Sequence, residues 1–340
     1  MHLLTTILGL GNSLIKILFF WDGVFRSGDD NGHQTGFEDG NRPISELQAR
    51  REKLKYAVFH RPVMNNAYVH GYAPRESARL QDQASTLEGL LHWDTRFAPG
   101  SLVLEAGCGV GAQTVPLAKN SSQAMIVALD VSSASAIETS RRVAEEGLDN
   151  VRVLQADIFH LPFREGLFDH LFICFVLEHL PRPVEALRIL MQFIKPGGSI
   201  TVIEGDHGSA YFHPDSAAAR RAIDCQVQLQ KRAGGNAMIG RELYPLLRAA
   251  GYFEVSVSPR MVYVDYSRPE LVEGFTKKTF TAMIEGVGPA AVQAGLIERG
   301  DFSQGVRDLY RAAEDDGVFC YTFFKGQGKK KGPDKLEKRS

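Results

Sequence analysis

The sequence predicts an α/β fold: a parallel sheet with helices on both faces. Three observations carry that prediction. From Ser101 onward, short aliphatic runs alternate with stretches of helical periodicity. The first of these strand-to-helix junctions is rich in glycine, with Leu102-Val103-Leu104-Glu105 followed by Gly107, Gly109 and Gly111. Three successive strand-like runs close on an acid: Glu105, Asp130 and Asp157.

The junction over 101–114 reads as a buried strand, a tight turn and a helix start. Glycine there permits positive φ and lets a ligand approach the main chain. The helix start offers unpaired N–H groups to a polar ligand. The spacing alone leaves alternatives open. Gly107, Gly109 and Ala112 also fit the dinucleotide fingerprint, and a turn that merely closes a strand–helix unit has the same glycines. Glu105 discriminates between the ligands. A carboxylate two residues before the first glycine repels a pyrophosphate and suits an ammonium group, which favours S-adenosylmethionine, whose methionine end is zwitterionic.

The remaining elements follow in order. The chain has 340 residues, 44% hydrophobic and 23% charged, with a formal net charge of −1, so no global charge draws it toward nucleic acid or an anionic membrane. Cys108, Cys174, Cys225 and Cys320 are scattered without a C-x-x-C pair. They read as free thiols of a reducing, cytoplasmic setting with no metal site. Residues 1–26 form an apolar amphipathic segment, whose polar stripe of Thr5, Gly9, Asn12 and Lys16 favours peripheral contact of 1–21 with a membrane. Residues 27–50 are a polar, glycine-rich linker. Tyr68, His70, Tyr72, Arg75 and Arg79 precede or open a helix with Leu80, Ala84, Leu87 and Leu91 on one stripe, and are positioned to fold over a ligand. Strands then end at Glu105, Asp130, near Asp157, at Val176 and at Glu204, with helices over 132–147 and 184–194, the latter closed by Lys195-Pro196-Gly197-Gly198. Helical inserts over about 208–240 and 269–315 flank two last strands, 253–264 and 318–324, and are expected to form a lid. Residues 326–340 are expected to be a basic disordered tail, since 325–340 carry seven Lys/Arg against two Asp/Glu.

In an open parallel sheet, ligands bind beyond the carboxyl ends of the strands. Those ends carry Glu105, Asp130, Asp157, the 175–179 region and 204–207. Asp130 lies at the distance after the glycines where an acid takes ribose hydroxyls. With these motifs in this order, the sequence resembles the class I S-adenosylmethionine-dependent methyltransferases, in a small-molecule flavour similar to the ubiquinone and menaquinone C-methyltransferases. The resemblance implies a Rossmann-like seven-stranded sheet of order 3-2-1-4-5-7-6, its last strand antiparallel, in a methyltransferase domain over 51–325. It implies that Glu105, Gly107, Cys108, Gly109 and Gly111 cradle the methionine moiety of S-adenosylmethionine. Asp130 and Val131 would hold the ribose, and Ala156, Asp157 and Ile158 the adenine. Phe175 would line the site, with Tyr72 and Arg79 closing from the N-terminal side. His207 and Glu204, at the end of the fifth strand, are the candidate catalytic residues for an acceptor that must lose a proton, with His213 behind them. The fourth strand ends Ile173-Cys174-Phe175-Val176 and lacks the Asn/Asp-Pro-Pro-Tyr/Phe signature of amino-group methylation on adenine or glutamine. The expected partner is therefore a small-molecule acceptor and not nucleic acid. Two other classes stay open: a nicotinamide-dependent oxidoreductase on a similar fold, and a non-catalytic adenosylmethionine-binding scaffold. Oligomeric state is not read from the sequence.

Overall fold

The structure, a computed structural model, describes residues 86–332. The apolar segment 1–26, the linker 27–50, Tyr72, Arg79 and the tail from 333 lie outside the described residues. The chain enters as a helix over 86–91 (α1), whose Leu87 and Leu91 are buried as their spacing predicts. There follow β1 (Leu102–Ala106), α2 (Thr114–Asn120), β2 (Met125–Asp130), α3 (Ser133–Glu145), β3 (Val151–Gln155) and β4 (Phe168–Cys174). Then come α4 (Pro183–Phe193), β5 (Ile194–His213), α5 (Ala217–Arg232), α6 (Leu243–Ala250) and β6 (Phe253–Val264). A helical run of α7 (Pro269–Leu271), a π-helical stretch (Val272–Thr281) and α8 (Ala282–Gly286) leads to α9 (Gly288–Gln293), α10 (Arg299–Arg311) and β7 (Val318–Lys329).

The seven strands form one sheet of order β3-β2-β1-β4-β5-β7-β6. β1 to β5 pair in parallel, and β7 runs antiparallel between β5 and β6. This is the predicted architecture. Because successive strand residues face opposite sides, each central strand feeds two cores. Leu104, Leu171 and Val202 pack with Leu187, Leu190 and Leu247 of α4 and α6. Val103, Phe172 and Ile203 pack with Leu87, Leu117, Ile223 and Phe275 on the other side. α1, α5 and the π-helical stretch thus cover one face of the sheet.

Two sequence expectations are corrected. β5 does not stop near Glu204 but runs to His213, so the first insert starts after 213 and not at 208. Gly205, Asp206, Gly208 and Ser209 break the apolar alternation that marks a strand, yet their backbone still follows β7, with a register shift between Asp206 and Tyr211. Residues 326–329 are likewise strand and not tail. Gly326 pairs with Val202 and Val257, and Gly328 with Ile200. These glycines look like linker in the sequence, but a Cβ on Gly326 would sit 3.0 Å from Leu247, and one on Gly328 3.1 Å from Tyr252. They let α6 and Tyr252, two residues past its end, lie close on β7.

β7 also carries a buried cation. Lys325 Nζ lies 2.6 Å from Asp94 Oδ1 and 2.6 Å from Thr95 Oγ1, and Arg260 reaches the other oxygen of Asp94. This ties the segment after α1 to the β6–β7 pair. Removing one partner of a buried pair leaves an uncompensated charge and costs about 3–5 kcal/mol. Asp94→Ala, which leaves the Lys325 ammonium buried without its carboxylate, is therefore expected to lower the unfolding free energy by about 3 kcal/mol in urea titrations. Lys329→Ala, which breaks an exposed pair with Glu254, should cost under about 1 kcal/mol. Equal small losses for both would contradict this reading of Lys325.

Candidate active site

The glycine turn after β1 is held from three directions. The amides of Gly107 and Cys108 both donate to Leu129 O of β2 at 2.8 Å. Asp130, ending β2, accepts from Gly109 N through Oδ2 at 2.8 Å and from Ser132 N through Oδ1 at 2.8 Å. From α3, Thr139 Oγ1 donates to Gly109 O at 2.7 Å and the Arg142 guanidinium to Val110 O at 3.1 Å. Ser132 caps α3 by accepting from Ser135 N. Gly107 has φ +84°, and a Cβ there would lie 2.4 Å from Val176 of the turn after β4, so both conformation and space require glycine. Above Gly109 the opposite holds, since among the described residues a Cβ would meet nothing within 4 Å. The loop backbone is closed beneath and open above.

Glu105 lies just before this turn, 2% exposed, and its Oε2 has no hydrogen-bond partner among the described residues. Burial pushes its carboxyl up to about 7, the charge of Asp130 adds to the rise, and the nearby Thr114 hydroxyl offsets part of it. The buried Cys108 thiol is pushed up by the same burial and by both acids. A buried acid with an unmatched oxygen, beside an open stretch of glycine backbone, is the setting an ammonium group completes. The residues therefore fit the methionine end of S-adenosylmethionine.

The other predicted positions distribute as follows. Ala156 N donates to Asp130 O at 2.9 Å, which brings the end of β3 beside that of β2. Asp157 is engaged locally, accepting from Phe159 N through Oδ1 and bonding His160 Nδ1 through Oδ2, each at 2.9 Å. Ile158 is buried and Val131 is exposed. Phe175 has φ +58°, a strained conformation for a non-glycine residue, and donates its N–H to Ile203 O.

His207 and Glu204, adjacent in the sequence reading, serve different layers. Glu204 Oε1 accepts from Val176 N at 3.0 Å and Leu177 N at 2.7 Å, and so holds the turn whose Val176 covers Gly107. Burial, then the charge of Glu178, pushes the Glu204 carboxyl well above its usual range. The His207 ring instead lies toward the helical insert, 6.1 Å from the Phe280 ring, with Nδ1 2.6 Å from the Tyr321 hydroxyl. His213 is exposed at the far end of β5.

Sequence reasoning missed several residues that shape the site. Thr139 and Arg142 stand three apart on α3, and a polar Thr139 on the buried stripe with Ala136 and Val143 was the available signal. His92 is buried, Nε2 2.6 Å from Gln113 Oε1 at the start of α2, and burial lowers its pKa to about 4. Nothing in its neighbourhood in the sequence marks it. Among the described residues no cluster of three metal-ligating side chains occurs, and no helix is long and apolar enough to cross a membrane.

Glu105 gives a pH signature that needs no ligand. Its folded-state value lies above the usual 4.5, so the folded form holds the proton more tightly than the unfolded chain. Its contribution to stability is intact below about 4.5 and is lost as pH rises toward 7, by roughly 3 kcal/mol at 1.4 kcal/mol per unit. Glu105→Gln should flatten the pH dependence of the urea midpoint between 5 and 7 and raise stability at pH 7.5. An unchanged slope would show that Glu105 is ionised throughout.

Comparison with known proteins agrees with this geometry. The sequence profile described as a methyltransferase domain matches residues 103–198, the span from β1 through the entry to β5. An uncharacterized 37.1 kDa protein of a transposon from Streptomyces fradiae is 29% identical over 257 residues, 73% of this chain and 73% of that protein. The methyltransferase GfsG of Streptomyces halstedii is 28% identical over 52% of this chain and 63% of its own length. Among solved structures, phosphoethanolamine N-methyltransferase 2 of Haemonchus contortus, bound to S-adenosylhomocysteine, superposes with a TM-score of 0.50 at 13% identity, over 79% of this chain and 61% of that one. This last likeness speaks for the fold. The chain spans less than two thirds of GfsG and of the nematode enzyme. With the motif order and the strand order, the methyltransferase-domain match over residues 103–198 makes the chain similar to the class I S-adenosylmethionine-dependent methyltransferases.

Proposed function

We propose that this protein moves the methyl group of S-adenosylmethionine to a small-molecule acceptor by direct displacement beyond the carboxyl ends of β1, β4 and β5. One observation carries the donor half: the buried Glu105 carboxyl with its unmatched Oε2, beside a glycine turn open above Gly109. In this reading Glu105 holds the methionine ammonium, and the backbone of Gly107, Cys108, Gly109 and Gly111 receives the rest of that moiety. Asp130 uses the lone pairs left by Gly109 and Ser132 for the ribose, with Val131 beside it. Ala156, Asp157 and Ile158 flank the adenine, and Phe175 lines the edge. The donor supplies an activated methyl group on a sulfonium. The protein's part is to align acceptor, methyl and leaving sulfur and to keep water away.

The acceptor half rests on the helical insert. The π-helical stretch brings Phe275 and Phe280 onto β7 and Phe280 also against His207, and π-helical turns concentrate at functional sites. A partly apolar acceptor, such as a metabolite, quinone or secondary product, suits this surface. Its polar contact is His207. Glu204, engaged with the β4 turn, acts in this reading as support. Four buried free thiols favour the cytoplasm as the setting.

The test is calorimetric titration with S-adenosylmethionine and with its demethylated product. Binding is expected in the wild type and should weaken at least tenfold in Glu105→Ala and Asp130→Ala, in line with the about 1.5–3 kcal/mol of a charged hydrogen bond. Labelled methyl transfer to a panel of small molecules should then follow. Binding without transfer to any acceptor would favour the scaffold reading. A folded protein that binds neither compound but binds a nicotinamide dinucleotide would overturn the proposal.

A further inference from the structure

Among the described residues two that are not glycine have a positive φ, Phe175 at +58° and Glu254 at +48°. Glu254 lies where β6 shifts register against β7, between Phe253 and Ser256, and a bulge accounts for it. β4 pairs with β5 without a shift from His170 to Cys174, so no bulge explains Phe175, the next residue. Its conformation is held from both sides. Its own N–H donates to Ile203 O at 2.9 Å, and Glu204 Oε1 accepts from the next two amides, Val176 and Leu177, at 3.0 and 2.7 Å. Strain of this kind persists only where the surroundings over-determine it, and it collects at functional sites.

The turn changes the face on which the side chain lies. Along β4 the sides alternate. Leu171 and Ile173 pack into the core beneath α4 and α6, and Phe172 and Cys174 into the core beneath α5 and the π-helical stretch. Alternation would send residue 175 to the side of Ile173. The left-handed residue instead keeps its ring on the side of Cys174, 5.6 Å from the Phe323 ring of β7. The ring therefore lies toward β5 and β7, while the glycine turn after β1 is met by the next side chain, Val176. Phe275, Phe280, Tyr321 and Phe323 in this aromatic group are 1–3% exposed, whereas Phe175 is only half-buried. Of these five rings it is the one that keeps open surface, and so the one that a ligand meets.

We propose that the left-handed turn at Phe175 makes its ring the specificity surface for the methyl acceptor, against which an apolar group beside the methylated atom packs. The side chain thus stands outside the donor's pocket, although the sequence motif puts Phe175 with S-adenosylmethionine. An acceptor flanked at that point only by charged groups does not match, since the ring offers no hydrogen bond for the hydration that such groups lose. That the ligand is a methyl acceptor rests on the proposed methyl transfer; the direction of the ring does not.

The test is thiol labelling of Phe175→Cys in the full-length protein, where the four native cysteines are buried and give a low background. Two reagents are compared, benzyl methanethiosulfonate and its charged 2-sulfonatoethyl counterpart. Each rate is divided by that for free cysteine, and the ratio of the two cancels the reactivity of the thiol itself. The benzyl reagent is expected to be favoured by at least about tenfold, from burial of its ring. Saturating S-adenosylhomocysteine should change neither rate by more than about twofold, because a ligand protects only what it covers. No benzyl preference, or protection of about tenfold by S-adenosylhomocysteine, would overturn the proposal. A second comparison reads the backbone. Phe175→Gly should have a urea midpoint at least as high as that of Phe175→Ala, because glycine takes a positive φ freely and alanine does not. A clearly higher midpoint for Phe175→Ala would remove the left-handed turn and the proposal with it. Failure of S-adenosylhomocysteine to bind the wild type, measured by calorimetry, would strike the methyl-transfer reading, and the benzyl preference of the free protein would still decide whether residue 175 faces an apolar ligand.

Discussion

The site depends on a buried acid with an unmatched oxygen. Glu105 closes β1 in the middle of the sheet, where burial opposes ionisation and, among the described residues, no side chain or backbone donor reaches its Oε2. A stable fold tolerates such a group only at a cost, and that cost is recovered when a cation binds. The surroundings are arranged to keep this acid beside an open main-chain surface. Asp130 pins Gly109, α3 pins Gly109 and Val110 through Thr139 and Arg142, and Val176 presses on Gly107. The turn therefore meets a ligand already shaped, with the ordering entropy spent in folding.

The neighbouring strands extend that arrangement sideways. Glu204 of β5 holds the amides of Val176 and Leu177, which sets the turn after β4 and with it the side chain over Gly107. Two buried acids thus flank the glycine turn: Glu105 just before it, in the proposed reading toward the ligand, and Glu204 on the turn after β4 whose Val176 covers Gly107. On the opposite layer, β5 and β7 carry His207 and Tyr321 into the aromatic face of the insert. In the proposed reading, the alternation of the strands puts the supporting Glu204 on one face of the sheet and the reaction surface at His207 on the other.

Much of this was legible in the sequence, and the limits have physical causes. β1 to β4 announce themselves by continuous apolar runs bounded by glycines and acids, because a strand buried on both faces has little choice of residue. The extensions of β5 past Glu204 and of β7 past Phe324 do not, since Gly205, Gly208, Gly326 and Gly328 serve close approach of Tyr321, Arg241 and Met238, Leu247 and Tyr252, and glycine reads as a break. The places of Glu105 and Asp130 at the ends of β1 and β2 were readable, because each closes an apolar run at a set spacing from the glycines. Thr139, Arg142, His92 and Tyr321 were not, because their partners are 21 to 114 residues away in sequence. Tyr72 and Arg79 fall outside the described residues, and their part in the site stays a proposal.

The central claim is that a neutral, buried Glu105 becomes an anion when the ammonium of the donor arrives. Calorimetry with S-adenosylmethionine at pH 6 and pH 8, in buffers of different ionisation enthalpy, tests it directly. The expected result is release of a proton on binding at pH 6, tighter binding at pH 8, and loss of both effects in Glu105→Gln. Binding with no proton release at pH 6 and the same affinity at both values would contradict it.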